Sequence, residues 1–325
     1  MSLRQRLFSA PLHERYTVRK AASWLLPDRY YAKLAFRQDH GRFPRTPPVS
    51  YNERLSALIG SGSLERYRPY CDKLAVRDWV AGRIGAQHLV PLHASARRLT
   101  PELWDRLPNA FMLKPSHGSS WFRLVQDKRA ERYETLAAMT DTWLRMNYYH
   151  FYRERQYRTI KPALLFEQVL GGGREGGLVD YKFFCFHGKA VFVYVLIELG
   201  RKRRLLYDLD WNKLAVRYKA DNDGDYPRPA ALEEMRRIAE TLAAGFDFVR
   251  VDLYSVPEGV LFGEMTFTPL TGSDGFDPPA FDDYLGEIWA AGDAGRTADI
   301  SAWRALPDEA AGMPETERAH ASMSR

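Results

Sequence analysis

The sequence predicts an α+β protein built on antiparallel sheets, and three stretches predict it. DYKFFCF and AVFVYVLIEL (residues 180–186 and 190–199) are apolar runs that meet at His187-Gly188. FVRVDLYSV and VLFGEMTF (residues 248–256 and 260–267) meet across Pro257-Glu258-Gly259. Runs rich in β-branched and aromatic residues, parted by turn formers, read as hairpins. Between the two hairpins, residues 230–244 set Leu232, Met235, Ala239 and Leu242 on one helical face, with Gly245 as the stop. Strand pairs with intervening helices favour antiparallel layers over a doubly wound parallel sheet.

The chain has 325 residues, enough for two domains or one large one. Its apolar content of 45% and charged content of 27% are those of an ordinary soluble protein. The longest uninterrupted apolar run, residues 190–197, is far too short for a spanning helix. No secretory signal is evident, and Cys71 and Cys185 lack metal or CxxC spacing, so a reduced, cytoplasmic protein is expected. Charge is uneven. Residues 1–50 carry ten Lys/Arg against three Asp/Glu, +7 in a chain whose net charge is +6, so the remainder is nearly neutral. Nucleic-acid binding would need basic residues across a folded surface and is not expected. A local basic excess suits an anionic membrane or a polyanionic polymer, and a solvated basic helix face accounts for it equally well.

In chain order, residues 1–50 read as a helical, aromatic-rich segment with Trp24, Tyr30, Tyr31 and Phe36 among the cations, ended by Gly41 and Pro44–Pro48. Ser50 with Glu53 forms a capping box for a helix over residues 51–59. Asp72 caps a second helix over residues 73–83, and Gly85 stops it. AFMLKP (residues 110–115) is a short buried strand carrying Lys114, and the small loop SHGSS (residues 116–120) follows. Residues 131–145 have helical spacing. PALLFEQVL (residues 162–170) is a strand ending at GGGREGG, which no regular element tolerates. Arg201–Arg204 form a basic cluster, and beyond Ala291 the chain reads as a weakly packed tail.

The chemistry-bearing residues sit in these elements. Arg250 and Asp252 share one strand face, as do Glu264 and Thr266; if the strands pair, Asp252 and Glu264 converge, and a divalent cation would neutralise them. Solvated residues on an exposed face are the alternative. Lys114 before a glycine loop resembles a phosphate-binding lysine with a lid, although many such lysines only snorkel from a sheet edge. Glu167-Gln168-Val169-Leu170 end a strand whose backbone groups suit a purine ring, and Asp180 suits ribose hydroxyls; a solvated acidic strand end is the alternative. There is no P-loop, no GxGxxG, no HExxH and no Gly-x-Ser-x-Gly, which excludes the corresponding nucleotide folds and hydrolases.

Taken in order, DKLAVRDWV with Lys73, FMLKPSHGSS with Lys114, FEQVL, DYKFFCFHGK, FVRVDLY and FGEMTF resemble the ATP-grasp superfamily. They are most similar to its polysaccharide-biosynthesis branch, the teichuronopeptide-biosynthesis-like proteins, over residues 36–285, including YNERL and YDLDWN. The resemblance implies an ATP-grasp fold in which two α+β subdomains clasp ATP, and an ATP-dependent carboxylate–amine ligase using magnesium. It implies a pre-grasp part 51–109 and a catalytic domain 110–290 divided into 110–162 and 163–290, between the basic helical segment 1–50 and the weakly ordered tail 291–325 that composition gives. Lys73 and Lys114 would hold phosphates, and the loop of His117 and Ser119 would close over them. Glu167 to Leu170 would receive adenine and Asp180 the ribose, while Lys182, Arg201 and Arg204 are candidates for phosphate or anionic substrate. Asp252 and Glu264 would ligate Mg2+, with Thr266 beside them, and Arg250 would stabilise developing negative charge. The chain departs from the family pattern in two places: Thr266 stands where many relatives have Asn, and Ser120 where close ones have Gly. The expected partners are a carboxylate and an amine, small or polymer-linked, with residues 1–50 touching a membrane or polyanion. A kinase on the same nucleotide site and a non-catalytic scaffold remain open.

Overall fold

The computed structural model describes residues 12–173, 178–197, 203–218, 222–292 and 299–304. Residues 1–11 of the basic segment, Arg201 of the cationic cluster, part of the glycine-rich link and residues 305–325 of the tail lie outside the described residues.

The strands along the described chain are β1 (Leu92–Ala96), β2 (Phe111–Pro115), β3 (Arg123–Val125), β4 (Leu164–Glu167), β5 (Asp180–Phe186), β6 (Lys189–Ile197) and β7 (Arg203–Tyr207). They continue with β8 (Arg217–Tyr218), β9 (Phe248–Val256), β10 (Gly259–Thr266) and β11 (Phe276–Asp277). A five-stranded antiparallel sheet in the order β10-β9-β5-β6-β7 organises the whole, and the short β8 and β11 pair beside it. The two expected hairpins are β5–β6 and β9–β10, and β5 pairs with β9 to join them. His187 and Gly188 turn the first hairpin with positive φ at both positions, +48° and +79°. The primed turn that this makes matches strand twist. Arg203 and Arg204 of the basic cluster open β7, which pairs with β6.

One face of this sheet is apolar throughout. Phe183, Val193, Val195, Val249, Val251 and Leu253 pack there under Leu232, Met235, Ile238, Ala239 and Leu242 of the helix Leu232–Ala243. The other face divides in two. At one end an aromatic cluster of Phe184, Phe186, Phe192, Phe248 and Phe281 surrounds Tyr51, whose ring meets that of Phe248 edge-on at 5.1 Å. The cluster is covered by the helices Tyr51–Ser61 and Ala280–Ala290. These helices cross so closely that a Cβ on Gly286 would lie 1.9 Å from the carbonyl oxygen of Val49, which only glycine permits. At the other end the same face carries charges, and there several of the sequence-predicted site residues gather.

A second sheet has the order β1-β4-β2-β3, with the helix Tyr133–Arg145 against it. This corrects two expected boundaries. The divisions at 109/110 and 162/163 cut through one sheet, because β1 and β4 come from either side of residues 110–162 and pair with each other.

The N-terminal segment forms α1 (Leu12–Leu25) and α2 (Asp28–His40), both docked on the core. Asp28 is buried beneath them, accepting from Arg153 Nη1 at 3.2 Å, Arg155 Nε at 2.6 Å and the Tyr149 hydroxyl at 2.8 Å. The expected capping box is present: Glu53 N donates to Ser50 Oγ at 3.3 Å, and Ser50 N donates back to Glu53 Oε2 at 3.0 Å. Within the expected weak tail, the described residues 299–304 fold back onto the body. Trp303 packs against Phe281 with ring centres 5.0 Å apart, and Ala215 N donates to the Trp303 carbonyl at 2.8 Å.

Candidate functional site

Strand register alone writes the charged end of the large sheet as three rows. One row reads Arg204–Leu196–Asp180–Tyr254 across β7, β6, β5 and β9. The next reads Tyr194–Lys182–Asp252–Glu264, and the third Phe192–Phe184–Arg250–Thr266. The opposition of Asp252 and Glu264 depends on a β-bulge at Gly263. Before the bulge, Phe262 pairs with Leu253 and joins the apolar core; after it, Glu264 pairs with Asp252 on the opposite face. Residues two apart in a regular strand share a face, so if the strand ran through Gly263 without the bulge Glu264 would follow Phe262 into the core. A side chain at 263 is also unwelcome, since a Cβ there would stand 3.0 Å from the Asp252 carbonyl oxygen and 3.2 Å from the Tyr254 ring.

The carboxylate and cationic groups of these rows neutralise one another. Arg250 donates from Nε to Asp252 Oδ1 and from Nη2 to Asp252 Oδ2, both at 2.7 Å, and from Nη2 to Glu264 Oε1 at 3.2 Å. Lys182 Nζ lies between Asp252 Oδ2, at 2.5 Å, and the Asp180 carboxylate. Burial works against the charge on Lys182, but Asp180 and Asp252 outweigh it and hold its pKa above the ordinary value. Burial likewise opposes ionisation of Glu264, yet Arg250, Lys73 and Lys182 draw its pKa down to about 2. Asp180 is the less well compensated: burial pushes it up to about 6, and its Oδ1 is buried without a hydrogen-bond partner.

These rows form one wall of a cleft of about 300 Å³. The opposite wall comes from the small sheet and its loops: Lys114, Glu167, Ser119, Ser120, Trp121, and Lys73 and Arg77 from the segment after Cys71. Lys114 Nζ donates to Glu167 Oε2 at 2.9 Å, and Arg77 Nη1 reaches Glu167 Oε1 at 3.5 Å. Lys73 Nζ donates to the Gly118 carbonyl, and burial lowers its pKa. Ser120 has φ +61°, a backbone conformation that glycine adopts without strain.

Of the sequence-predicted residues, Lys73, Lys114, Ser119, Glu167, Asp180, Lys182, Asp252 and Glu264 line this cleft, with Arg250 and Thr266 on the same sheet face behind them. Others fall elsewhere. His117 is not a lid residue. It is buried, and its Nε2 faces the carbonyls of Trp143 and Met146 at 3.0 and 3.1 Å. Carbonyls only accept, so the proton sits on Nε2, and burial keeps the ring neutral. Gln168, Val169 and Leu170 do not line the cleft, because β4 ends at Glu167 and the Gln168 N–H is taken by the Pro91 carbonyl at 2.9 Å. Arg204 lies at the far end of the row of Asp180, beyond Leu196, with its Nε and Nη1 buried and without hydrogen-bond partners. Thr266 buttresses Glu264 rather than standing free as a third ligand: its hydroxyl donates to Glu264 Oε1 at 2.9 Å and receives from Arg250 at 3.1 Å. Arg77 and Tyr254 were missed by the sequence reading, although Arg77 sits four residues after Lys73 on the same side of the cleft.

Among the described residues no group of three or more His, Cys, Asp or Glu side chains gathers to hold a metal. The donor set is instead Glu264, whose side chain is 36% exposed, and the buried Asp252, which lines the cleft with its oxygens held by Arg250 and Lys182. That suits magnesium, which is commonly held by one or two carboxylates, substrate phosphate oxygens and water.

Glu154 was also missed. It is buried, accepting from the Thr268 hydroxyl and from Gln156 Nε2 at 3.2 Å. Burial raises its pKa from 4.5 to about 7, a shift the Thr268 hydrogen bond opposes. The folded state therefore holds its proton more tightly than the unfolded one. This stabilisation is complete below the unfolded value and is lost as pH rises through the folded one. The Glu154→Gln variant is expected to match the wild type near pH 5 and to exceed its stability near pH 8 by up to about 3 kcal/mol. Thermal unfolding of both proteins across that range checks this; parallel curves would show that the carboxyl is not protonated in the fold.

Two α+β layers closing on a charged cleft give the fold of the ATP-grasp proteins. The chain belongs to the TupA-like ATP-grasp family, whose model, described as TupA-like ATPgrasp, matches residues 53–290. Similar solved structures include D-alanine–D-alanine ligase from Bacillus anthracis complexed with ATP, at 12% identity and a TM-score of 0.35, covering 61% of this chain and 53% of that one. The ATP-grasp ligase PsnB with a phosphomimetic variant of its minimal precursor, Mg and ADP is 13% identical, with a TM-score of 0.39, covering 70% and 60%. The macrocyclase MdnC bound with precursor peptide MdnA from Microcystis aeruginosa MRC is 10% identical, with a TM-score of 0.38, covering 74% and 70%. The chain thus spans about half to 70% of the length of these structures. No protein of curated function matches it. Among the described residues no helix is long and apolar enough to cross a membrane.

Proposed function

We propose that the protein is an ATP- and magnesium-dependent carboxylate–amine ligase that forms an amide and releases ADP and phosphate. One observation carries the reading beyond family membership: Lys73 and Lys114 face Asp252 and Glu264 across a single cleft, with Arg250 behind the carboxylates. ATP occupies that cleft. Lys73, Lys114 and the Ser119 loop hold its phosphates, Asp180 the ribose and Glu167 the neighbourhood of the base. Asp252 and Glu264 are the metal-holding pair, and magnesium bound there supplies positive charge to the phosphate oxygens.

A carboxylate oxygen of the substrate attacks the γ-phosphorus of ATP and ADP departs, leaving an acyl phosphate. The amine then attacks the acyl carbon, phosphate leaves, and one ammonium proton passes to solvent or a base. Lys73 and Lys114 hold the triphosphate in line for the first step. Arg250, charged at any working pH, meets the oxyanion of the second. Arg204 supports an anionic substrate, because two of its N–H groups are buried without partners on the same sheet face. Buried donors of that kind are costly unless a ligand satisfies them. A sugar acid or amino acid, free or carried on a surface polysaccharide, provides such a group.

The test is an ATP-dependent phosphate-release screen over amino acids and sugar acids, with products read by mass spectrometry. The expected result is an amide, with isotopically labelled carboxylate oxygen recovered in the released phosphate. A phosphorylated acceptor without free phosphate would make the protein a kinase. Nucleotide binding without turnover on any acceptor would favour a scaffold.

A further inference from the structure

The N-terminal helices present an outer face that the ligase reading leaves unused. Their inner faces are committed to the core: Arg19 donates to the Phe151 carbonyl, Ser23 Oγ meets His150 Nδ1 at 2.8 Å, and Ala32 and Phe36 are buried. The opposite side of α1 carries Val18, Ala21, Trp24 and Leu25, with Trp24 80% and Leu25 86% exposed. A Trp–Leu pair so exposed at a helix end forgoes burial that most folds would find for it. On α2 the exposed residues are Arg29, Tyr30, Lys33, Leu34, Arg37 and Gln38, spaced as a single helical stripe in which cations flank apolar side chains. No carboxylate interrupts that stripe: Asp28 is buried beneath it, and Asp39 lies on the side of Ala32 and Phe36. Glu14, the exposed acid of α1, lies on the same face one turn before Val18, ten residues and about 15 Å before Trp24, at the far end from the Trp24–Leu25 pair.

Apolar side chains ringed by Lys and Arg are the chemistry of a helix lying in a bilayer interface. We propose that this face docks the protein on an anionic lipid surface, with Trp24, Leu25, Tyr30 and Leu34 entering the headgroup region and Arg29, Lys33 and Arg37 meeting lipid phosphates. A second copy of the chain is a poorer occupant, because pairing this face with itself would bring the same cations against each other. The anionic surface accepts both halves of the pattern.

The experiment is co-sedimentation of the full chain with vesicles of phosphatidylglycerol and phosphatidylcholine, and with phosphatidylcholine alone, at low and high salt. Binding to the anionic vesicles is expected, falling steeply as salt rises, with little binding to the neutral ones. The Trp24→Glu, Leu25→Glu double variant, changed at two exposed positions, should bind at least about tenfold more weakly with unaltered thermal unfolding. Lys33→Glu with Arg37→Glu should remove the preference for anionic lipid. Equal binding by the Trp24/Leu25 variant, or no binding to anionic vesicles at low salt, would overturn the proposal. Lipid-free dimerisation abolished by that variant would assign the face to a second copy. Equally tight binding to soluble polyglutamate, indifferent to Trp24 and Leu25, would assign it to a polymer.

Discussion

Replacing Asp252 by Asn, or Glu264 by Gln, is expected to lower ligase turnover by on the order of a hundred- to a thousandfold while leaving the fold intact. Each change keeps the shape and one acceptor oxygen. The amide oxygen introduced by Glu264→Gln would still accept from Thr266, while Asp252→Asn would keep one acceptor for Arg250 but set its NH2 group against another Arg250 or Lys182 donor, so that variant is expected to fold with reduced stability. What disappears is one negative charge opposite Lys73 and Lys114. In the Asp252 variant, Lys182 and Arg250 then face the triphosphate with only Asp180 and Glu264 to balance them. A metal between the phosphates and this wall would lose half of its charged donors. The measurement is turnover against magnesium concentration, with circular dichroism as the control for folding. Wild-type turnover in both variants at saturating magnesium would refute the assignment of this pair.

The sequence made the two hairpins and the long amphipathic helix legible, because each is a local pattern bounded by its own turn or stop. β1 was not legible, since LHASA lacks the β-branched and aromatic residues that mark strands, and its partner β4 is some seventy residues away. β7 was hidden because RRLLY begins with two arginines and reads as a cationic cluster. The facing of Asp252 and Glu264 was anticipated for an incomplete reason: two-residue alternation from the Pro257-Glu258 turn sets Asp252 opposite Gly263, and only the bulge brings Glu264 into place. His117 misled because a polar residue beside glycine looks like a mobile loop. Its burial is decided by the end of a helix 26 to 29 residues further on, whose last carbonyls take its Nε2–H. Lys182 was a candidate for phosphate or anionic substrate, but its two carboxylate partners became visible only when β5 was paired with β9.

That pairing makes Lys182→Met the second large expected effect. Its ammonium is buried between two carboxylates, with side-chain exposures of 9% for the lysine and 2% for Asp252. Removing one member of a buried charge cluster leaves the others uncompensated, which costs about 3–5 kcal/mol. The lower end applies, because Arg250 continues to neutralise Asp252. Asp180 takes most of the loss, since its other oxygen already lacks a partner. Turnover should fall with stability, because the same ammonium stands in the cleft where phosphate charge develops. The two effects separate in the double variant. Asp180→Asn added to Lys182→Met removes the stranded charge, so thermal stability should return most of the way to wild type, a coupling expected of neighbours in one cluster. Turnover should stay low, because neutralising Asp180 puts no cation back in the cleft. Chemical denaturation of the two single variants and the double measures the coupling. A double variant as unstable as the sum of its parts would show that Lys182 supports the sheet by packing rather than by holding Asp180 and Asp252 together.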